Sequence, residues 1–406
     1  MPALRRAEPD GHRTGERMAV YSARQLHGLR IIVTGGGTGG HTYPALTTIR
    51  TLRARLAETG AEPDILWVGV EQGLEARIAR QEGLPFRAIT TGKLRRSPNR
   101  QELWRNITDA FRIPIGVLQA MATVLRVRPH VVLSTGGYVS VPIGLAAWLA
   151  RRPLVMHEQT LNLGLANRIL ALVARRVLLS HTSSLPNLSK RAQARAVVTG
   201  NPVRPDMLTG DPAAGRAAYG LEPHLPLVFV TGGAQGAVQV NQMIAEVLPD
   251  VLQRCQVLHQ CGEHSLDRMR QVAAQLPPHL QARYRVVDYI HGQLPDVLAA
   301  ADIVVARSGA GTVAELTALG RPAILIPLVP TSGDEQRQTA RHLAAAGAAR
   351  MLTGGDATGA ALRAELLTLL DDAQRRHALA EAARRHGRPD AAAAAVTELI
   401  DAARRG

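Results

Sequence analysis

From residue 29 onward, short runs of consecutive apolar residues alternate with longer segments in which apolar residues recur every three or four positions. The short runs predict strands at Leu29–Thr34, Ile65–Gly69, Phe86–Thr90, Val131–Ser134, Leu154–His157, Arg176–Ser180 and Ala196–Thr199. A second series follows at Leu227–Thr231, Gln256–Gln260, Tyr284–Tyr289, Ile303–Ala306 and Ala323–Ile326. The intervening segments read as helices. After the first strand, Pro44 suits a first helical turn, and Leu46, Ile49, Leu52 and Leu56 fall on one face. Strands alternating with helices predict an α/β chain with doubly wound parallel sheets.

The pattern repeats once. Ile31-Ile32-Val33-Thr34-Gly35-Gly36 recurs as Val228-Phe229-Val230-Thr231-Gly232-Gly233, each copy a strand running into a glycine turn and a helix. Two Rossmann-like domains in tandem are the simplest reading, with ligands expected at the carboxyl ends of the strands. The expected boundary is the segment Gly200-Asn201-Pro202-Val203-Arg204-Pro205, giving domains at 29–200 and 201–375. Residues 1–28 read as a polar extension without structure, with Met18 as an alternative start. Residues 376–406 read as a helix able to pack back on the first domain.

Composition narrows the class. Hydrophobic residues make up 46% and aromatics 3%, so the cores must be built from Ala, Leu and Val. No apolar run approaches the ~20 residues of a membrane-spanning helix, and Met1–Arg13 is too polar for a secretory leader. Two cysteines make no disulfide framework. The net charge of +15 fits an anionic partner such as a diphosphate or an anionic lipid surface, or simply a preference for Arg; Lys93 and Lys190 are the sole lysines. Nothing resembles a nucleic-acid module. Between Gly92 and Pro129, Arg95, Arg96, Arg100, Arg105 and Arg112 stand beside Ile107, Phe111, Ile113, Ile115, Val117, Leu118 and Met121, a composition suited either to a bilayer surface or to an ordinary core helix.

The candidate chemistry lies in the glycine turns. In Gly35-Gly36-Gly37-Thr38-Gly39-Gly40-His41, glycines let backbone N–H groups approach an anion, and the helix start adds partial positive charge. His41 places a proton acceptor at the mouth of that turn. A nicotinamide site is disfavoured, because the acid expected near the end of the second strand is not met until Glu71. In the second domain, Arg307-Ser308-Gly309-Ala310-Gly311-Thr312-Val313-Ala314-Glu315 opens a helix after a strand. Its amides and Thr312 could hold a diphosphate, and Glu315 could accept both ribose hydroxyls or serve as part of an N-cap. Gly136–Pro142 and Met156-His157-Glu158-Gln159 end two further strands as loops facing the same edge. Cys255, His259, Cys261 and His264 match no standard zinc spacing, and no Asp-x-Asp pair offers a site for a nucleotide-bound divalent ion, so no metal or other cofactor is expected.

Eight motifs then occur in a fixed order: Gly36–His41, Gly73-Leu74-Glu75, Gly136–Ser140, His157-Glu158-Gln159, Gly164-Leu165-Ala166-Asn167, Gly200–Arg204, Gly232-Gly233-x-Gln235-Gly236-Ala237 and Arg307-x-Gly309-Ala310-x-Thr312-x-x-Glu315. From about Leu29 to the C-terminus the chain resembles the MurG family of N-acetylglucosaminyltransferases of peptidoglycan synthesis. The resemblance implies a GT-B fold and a metal-independent, inverting transfer of GlcNAc from UDP-GlcNAc to the 4-hydroxyl of N-acetylmuramic acid in lipid I. It also implies a peripheral enzyme on the cytoplasmic side of the cell membrane, held at an anionic lipid surface. Carried over by position, Ile290 would meet the uracil through its backbone and Glu315 the ribose. Arg204, Ala234, Ala310 and Thr312 would lie near the nucleotide, and Gln336 and Glu335 near the donor sugar. Thr38, Gly39, Gly40, Thr160 and Asn167 would also serve donor binding, while Gly36, Gly37 and Tyr138 would face the acceptor. His41 is the first candidate base and Glu158 the second. Thr160, Ala234 and Glu335 depart from the family pattern, where Asn, Ser and a neutral or basic residue are usual. The alternatives are a GT-B transferase for another glycolipid or small-molecule acceptor, and a non-catalytic nucleotide-sugar binder.

Overall fold

The computed structural model describes residues 28–92, 100–329 and 334–404, with backbone alone for 100–113. The chain divides into two compact units, one formed by the described residues up to Pro202 together with those from Asp390 onward, the other by Val203–Pro389.

The first unit holds a seven-stranded sheet: β1 (Arg30–Thr34), β2 (Asp64–Gly69), β3 (Phe86–Ala88), β4 (Val131–Ser134), β5 (Leu154–Glu158), β6 (Arg176–Leu179) and β7 (Ala196–Val198). Its order is β3-β2-β1-β4-β5-β6-β7, parallel throughout, with Ile32 opposite Leu66 on one side and Val132 on the other. The principal helices are α1 (Gly39–Ala57), α2 (Leu74–Gln81), α3 (Arg100–Val127), α4 (Ser140–Leu149) and α5 (Leu165–Val173). Alternate strand residues feed two cores, as the period of two requires. Ile31 and Val33 pack with Leu46, Ile49, Leu52 and Leu56 of α1, whereas Ile32 packs with Val124, Ile143 and Leu170 from α3, α4 and α5.

The second unit repeats the plan with β8 (Leu227–Thr231), β9 (Gln256–Gln260), β10 (Tyr284–Val287), β11 (Ile303–Ala306), β12 (Ala323–Leu325) and β13 (Arg350–Met351), in the order β10-β9-β8-β11-β12-β13. Its principal helices are α6 (Val238–Val251), α7 (Ala310–Leu319), α8 (Glu335–Ala345), α9 (Gly359–Asp371) and α10 (Ala373–His386). In each sheet the strand order reverses beside the repeated strand, between β1 and β4 and between β8 and β11. At that reversal the loops above neighbouring strands diverge and leave a crevice.

Three expectations need correction. The segment 376–406 is not one helix: it breaks after His386, across Gly387-Arg388-Pro389, because proline disfavours helix at and before its own position. α10 packs on α7 and α9 in the second unit, whereas α11 (Ala391–Arg404) packs on α1 and the strands β4, β5 and β6 of the first. Pro44 sits in the second turn of α1, because Gly39 and Gly40 are already helical. The two-residue strand β13 was too short to leave an apolar run. Residues 1–27, and the side chains of Lys93, Arg95, Arg96, Arg100, Arg105, Ile107, Phe111, Arg112 and Ile113, lie outside the described residues.

Candidate active site

In the first unit the loops after β1 and β4 meet at the strand reversal. Glu75, at the start of α2, is fully buried beneath the first glycine loop. Its carboxylate accepts N–H bonds from Gly37 at 3.3 Å and Val70 at 3.0 Å. A side chain at Gly36 would overlap that carboxylate, which explains the glycine there. Glu75 thus occupies a donor of the very loop read as a phosphate cradle. Removing it would take the acceptor from the amides of exposed Gly37 and half-buried Val70 and leave a void beneath the loop. The Tyr138 ring lies over Gly37.

His41 is half-buried in the first turn of α1 and is held by Thr135 from two directions. The Thr135 hydroxyl donates to the His41 carbonyl at 2.7 Å, and the Thr135 carbonyl lies 2.9 Å from His41 Nδ1. Gly136, at φ +96°, brings its Cα so close to the ring that a side chain there would press on Nδ1. Gln159 Oε1 is 3.1 Å from the same nitrogen. A carbonyl oxygen only accepts, so Nδ1 carries the proton in the neutral ring and the lone pair is on Nε2. His41 is therefore poised to take a proton through Nε2.

Glu158 has the opposite character. Its Oε1 accepts from the Thr160 amide at 3.0 Å and hydroxyl at 2.8 Å, and its Oε2 from the Gly164 amide at 3.2 Å and Asn167 Nδ2 at 2.9 Å. A buried carboxylate with four donors organises the 160–167 loop and presents no open lone pair to a substrate. This geometry favours His41 over Glu158 as the base. Asn167 also donates to the His157 carbonyl, while its Oδ1 is buried without a partner among the described residues.

In the second unit, the first three amides of α7 lie ahead of its first backbone bond, from Val313 to Gly309. Ala310 and Thr312 are in that turn, so the helix start offers an anion site. Glu315, one turn on, is partly buried; burial raises its carboxyl to about 7 against the pull of Arg204, with Asp206 raising it further. Arg204 itself lies 3.7 Å from Asp206. Gln336, at the start of α8, accepts from the Leu328 amide at 2.9 Å through Oε1, and its carbonyl accepts from Ser308 at 2.8 Å. This leaves Gln336 Nε2 to donate. Glu335 and Ala234 are exposed.

The structure shows which backbone atom of Ile290 is already engaged. The Ile290 amide is already engaged, donating to Gln260 Oε1 at 3.0 Å, while Gln260 Nε2 donates to Thr231 Oγ1 and the Gly233 carbonyl. Gln260 thus ties the second glycine loop to the loop that carries Ile290, whose amide is taken up by this bond. Glu75, Gln159 and Gln260 are the residues to which the sequence assigned no role. The acid of Gly73-Leu74-Glu75 at the start of a helix and the amide closing each strand were the available signals.

The Cys255–His264 cluster is structural. His259 lies between Tyr284, 2.8 Å from Nδ1, and Asn241, 3.0 Å from Nε2, and burial lowers its pKa to about 3. Both thiols are buried, and Cys255 is raised to about 12 by the same cause. Among the described residues no group of three or more His, Cys, Asp and Glu could hold a metal ion.

Two Rossmann-like sheets, each with a glycine loop at its strand reversal and one with an open helix start beside a ribose-suited acid, define a glycosyltransferase of the GT-B class. Family models agree: the glycosyltransferase family 28 N-terminal domain matches residues 31–179 and the family 28 C-terminal domain residues 227–395. The chain is 39% identical over 374 residues to a UDP-N-acetylglucosamine–N-acetylmuramyl-(pentapeptide) pyrophosphoryl-undecaprenol N-acetylglucosamine transferase of Thermus thermophilus, covering 92% of this chain and 99% of that protein. It is 37% identical over 375 residues to the protein of the same name from Salinibacter ruber, covering 91% and 96%. The crystal structure of Acinetobacter baumannii MurG aligns with a TM-score of 0.70 at 25% identity, over 92% of this chain and 99% of that one. The chain belongs to the MurG family of N-acetylglucosamine transferases.

Proposed function

We propose that this enzyme transfers GlcNAc from UDP-GlcNAc to the 4-hydroxyl of N-acetylmuramic acid in lipid I, giving lipid II and UDP with inversion at the anomeric carbon. The observation that carries the mechanism is His41, half-buried, its Nδ1 proton committed to Thr135 and its Nε2 without a hydrogen bond among the described residues. As the acceptor oxygen attacks the anomeric carbon, its proton passes to His41 Nε2 and the bond from that carbon to the diphosphate oxygen breaks. The charge gathering on UDP is met by the first-turn amides of α7, by Thr312 and by Arg204, so no step requires a metal ion. Glu315 accepts the ribose hydroxyls, the Ile290 carbonyl meets the uracil, and Gln336 Nε2 reaches the sugar. Tyr138 and the loop of Gly36 and Gly37 face the acceptor, with Thr38, Gly39 and Gly40 beside the reacting centre. Thr160 and Asn167 act through the Glu158 network.

An apolar surface supports a peripheral place on the cytoplasmic face of the membrane. Leu118 and Leu125 of α3, Trp148 and Leu149 of α4 and Leu172 of α5 are all more than half exposed. These three helices pack side by side, with exposed Arg126, Arg128 and Arg151 at their ends. Apolar anchors flanked by arginines suit an anionic bilayer. No helix among the described residues is long and apolar enough to cross one.

The test is transfer of labelled GlcNAc to a short-chain lipid I analogue, with EDTA present. Transfer by the native enzyme, cut about 10²- to 10⁴-fold in His41→Ala with UDP affinity retained, supports the reading. A folded enzyme that binds UDP yet glycosylates a different glycolipid would replace it with the broader GT-B alternative. For the surface, Leu118→Ser with Trp148→Ser should weaken co-sedimentation with anionic vesicles while leaving transfer to the soluble analogue intact.

A further inference from the structure

We propose that Gln159 is a positioning residue for His41, sharing the Nδ1 proton with the Thr135 carbonyl and held in place by a chain of hydrogen bonds anchored at Gly200; this rests on the assignment of His41 as base. Gln159 is buried just after β5, and its Nε2 lies 2.8 Å from the Thr135 carbonyl and 3.2 Å from the carbonyl of His157, two residues back. Two carbonyl oxygens cannot face an amide oxygen, so that position is the NH₂ and Oε1 is the atom turned to His41 Nδ1.

The orientation of the amide is fixed in turn by His157. His157 Nε2 is 2.9 Å from the Gly200 carbonyl, so Nε2 carries the proton. Its Nδ1 is then a lone pair, and it accepts from Gln159 Nε2 at 3.1 Å. The His157 ring is buried, and its pKa falls to about 4, so it is neutral near pH 7 and this tautomer is the one present. The sequence of bonds is therefore directed throughout: His157 to Gly200, Gln159 to His157 and Thr135, His41 to Thr135 and Gln159.

The consequence is chemical. A histidine base oriented by a carboxylate has its imidazolium stabilised and its pKa raised. Here the orienting groups are neutral carbonyls, which hold the Nδ1 proton in place without adding charge. The one carboxylate adjacent in sequence, Glu158, is turned into the 160–167 loop, and Glu75 lies under Gly36 on the other side. The charged or titratable group that Gln159 connects to His41 is His157 alone.

The test uses the full chain, ¹⁵N-labelled at histidine, with Gln159→Met and Gln159→Glu. In the native protein the His41 signals should report Nδ1–H and an unprotonated Nε2. Gln159→Met, nearly equal in volume, leaves Thr135 as the one acceptor at Nδ1; it should move the His41 Nδ1 signal, loosen the ring and lower kcat by about 10- to 100-fold with the donor KM unchanged. Gln159→Glu should keep the tautomer but raise the His41 pKa by about 1 unit or more, moving the acid limb of the kcat profile to higher pH. A native ring protonated at Nε2, or a Met variant with a native His41 Nδ1 signal and native kcat, overturns the proposal. If Gln159→Met does not fold, the Glu variant decides: an unmoved His41 pKa sinks the idea. Should His41→Ala retain full transfer, the base assignment fails, and the tautomer measurement shows separately whether Gln159 positions the ring.

Discussion

The two glycine loops share a backbone device but are held by different chemistry. In the first unit the loop rests on a buried carboxylate, Glu75, and neighbours a set of imidazoles and amides that fixes one proton on His41 Nδ1. In the second unit the corresponding loop is tied by the neutral amide of Gln260, and the adjacent helix start keeps its first amides open toward solvent or ligand. Under the proposed function the first copy handles a proton, whereas in the second unit the anion falls to the start of α7, which follows β11 and not the repeated strand. The difference lies in which side chains arrive from neighbouring strands, not in the glycines.

That contrast can be broken at its strongest point first. Glu75→Ala should destabilise the first unit by about 1–4 kcal/mol, chiefly from the void beneath the loop. Thermal unfolding should show this loss while UDP binding by the second unit persists at low temperature. If UDP affinity falls in step with stability, the two sites are not held independently. Glu315→Gln should next weaken UDP-GlcNAc binding by about 10- to 100-fold, the worth of a charged hydrogen bond to ribose, with little effect on a uracil-only ligand. Calorimetry on both ligands checks this.

The third prediction concerns pH. Burial raises the Glu315 carboxyl to about 7, and its charged form is the one that accepts two hydroxyls. Donor affinity should therefore rise with pH, by about 10-fold between pH 6 and pH 8, and level off above. A flat profile, or one unchanged in Glu315→Gln, would remove the carboxylate from donor binding. The smallest effect is expected from Ala234→Ser, which adds a hydroxyl to the second glycine loop and should tighten UDP binding by about 2- to 10-fold.

The strands were legible because both sheets are buried on both faces, so each strand is an unbroken apolar run such as Ile31–Val33 or Leu227–Val230. β13 was not, being two half-buried residues at a sheet edge. The glycine loops and the acid one turn into α7 were visible as spacing. The networks beneath them were not: Glu75 is 38 residues from the amide it holds, and Gln159 is 118 from His41. Spacing along the chain carries no record of such pairings. Glu158 illustrates the converse, since a motif acid looks catalytic in sequence, and only the four donors around it reveal its other task.

The last helix, α11, bears on the order in which the protein is made. Ala395, Val396, Leu399, Ile400 and Ala402 complete the same core as α1 and β1. The first unit to leave the ribosome therefore lacks part of its interior until the final turns of the chain appear. The second unit is continuous from Val203 to Pro389 and has all of its residues earlier. Synthesis inverts the order of the map: the unit encoded in the middle can finish first, and the one that begins the chain waits for the end.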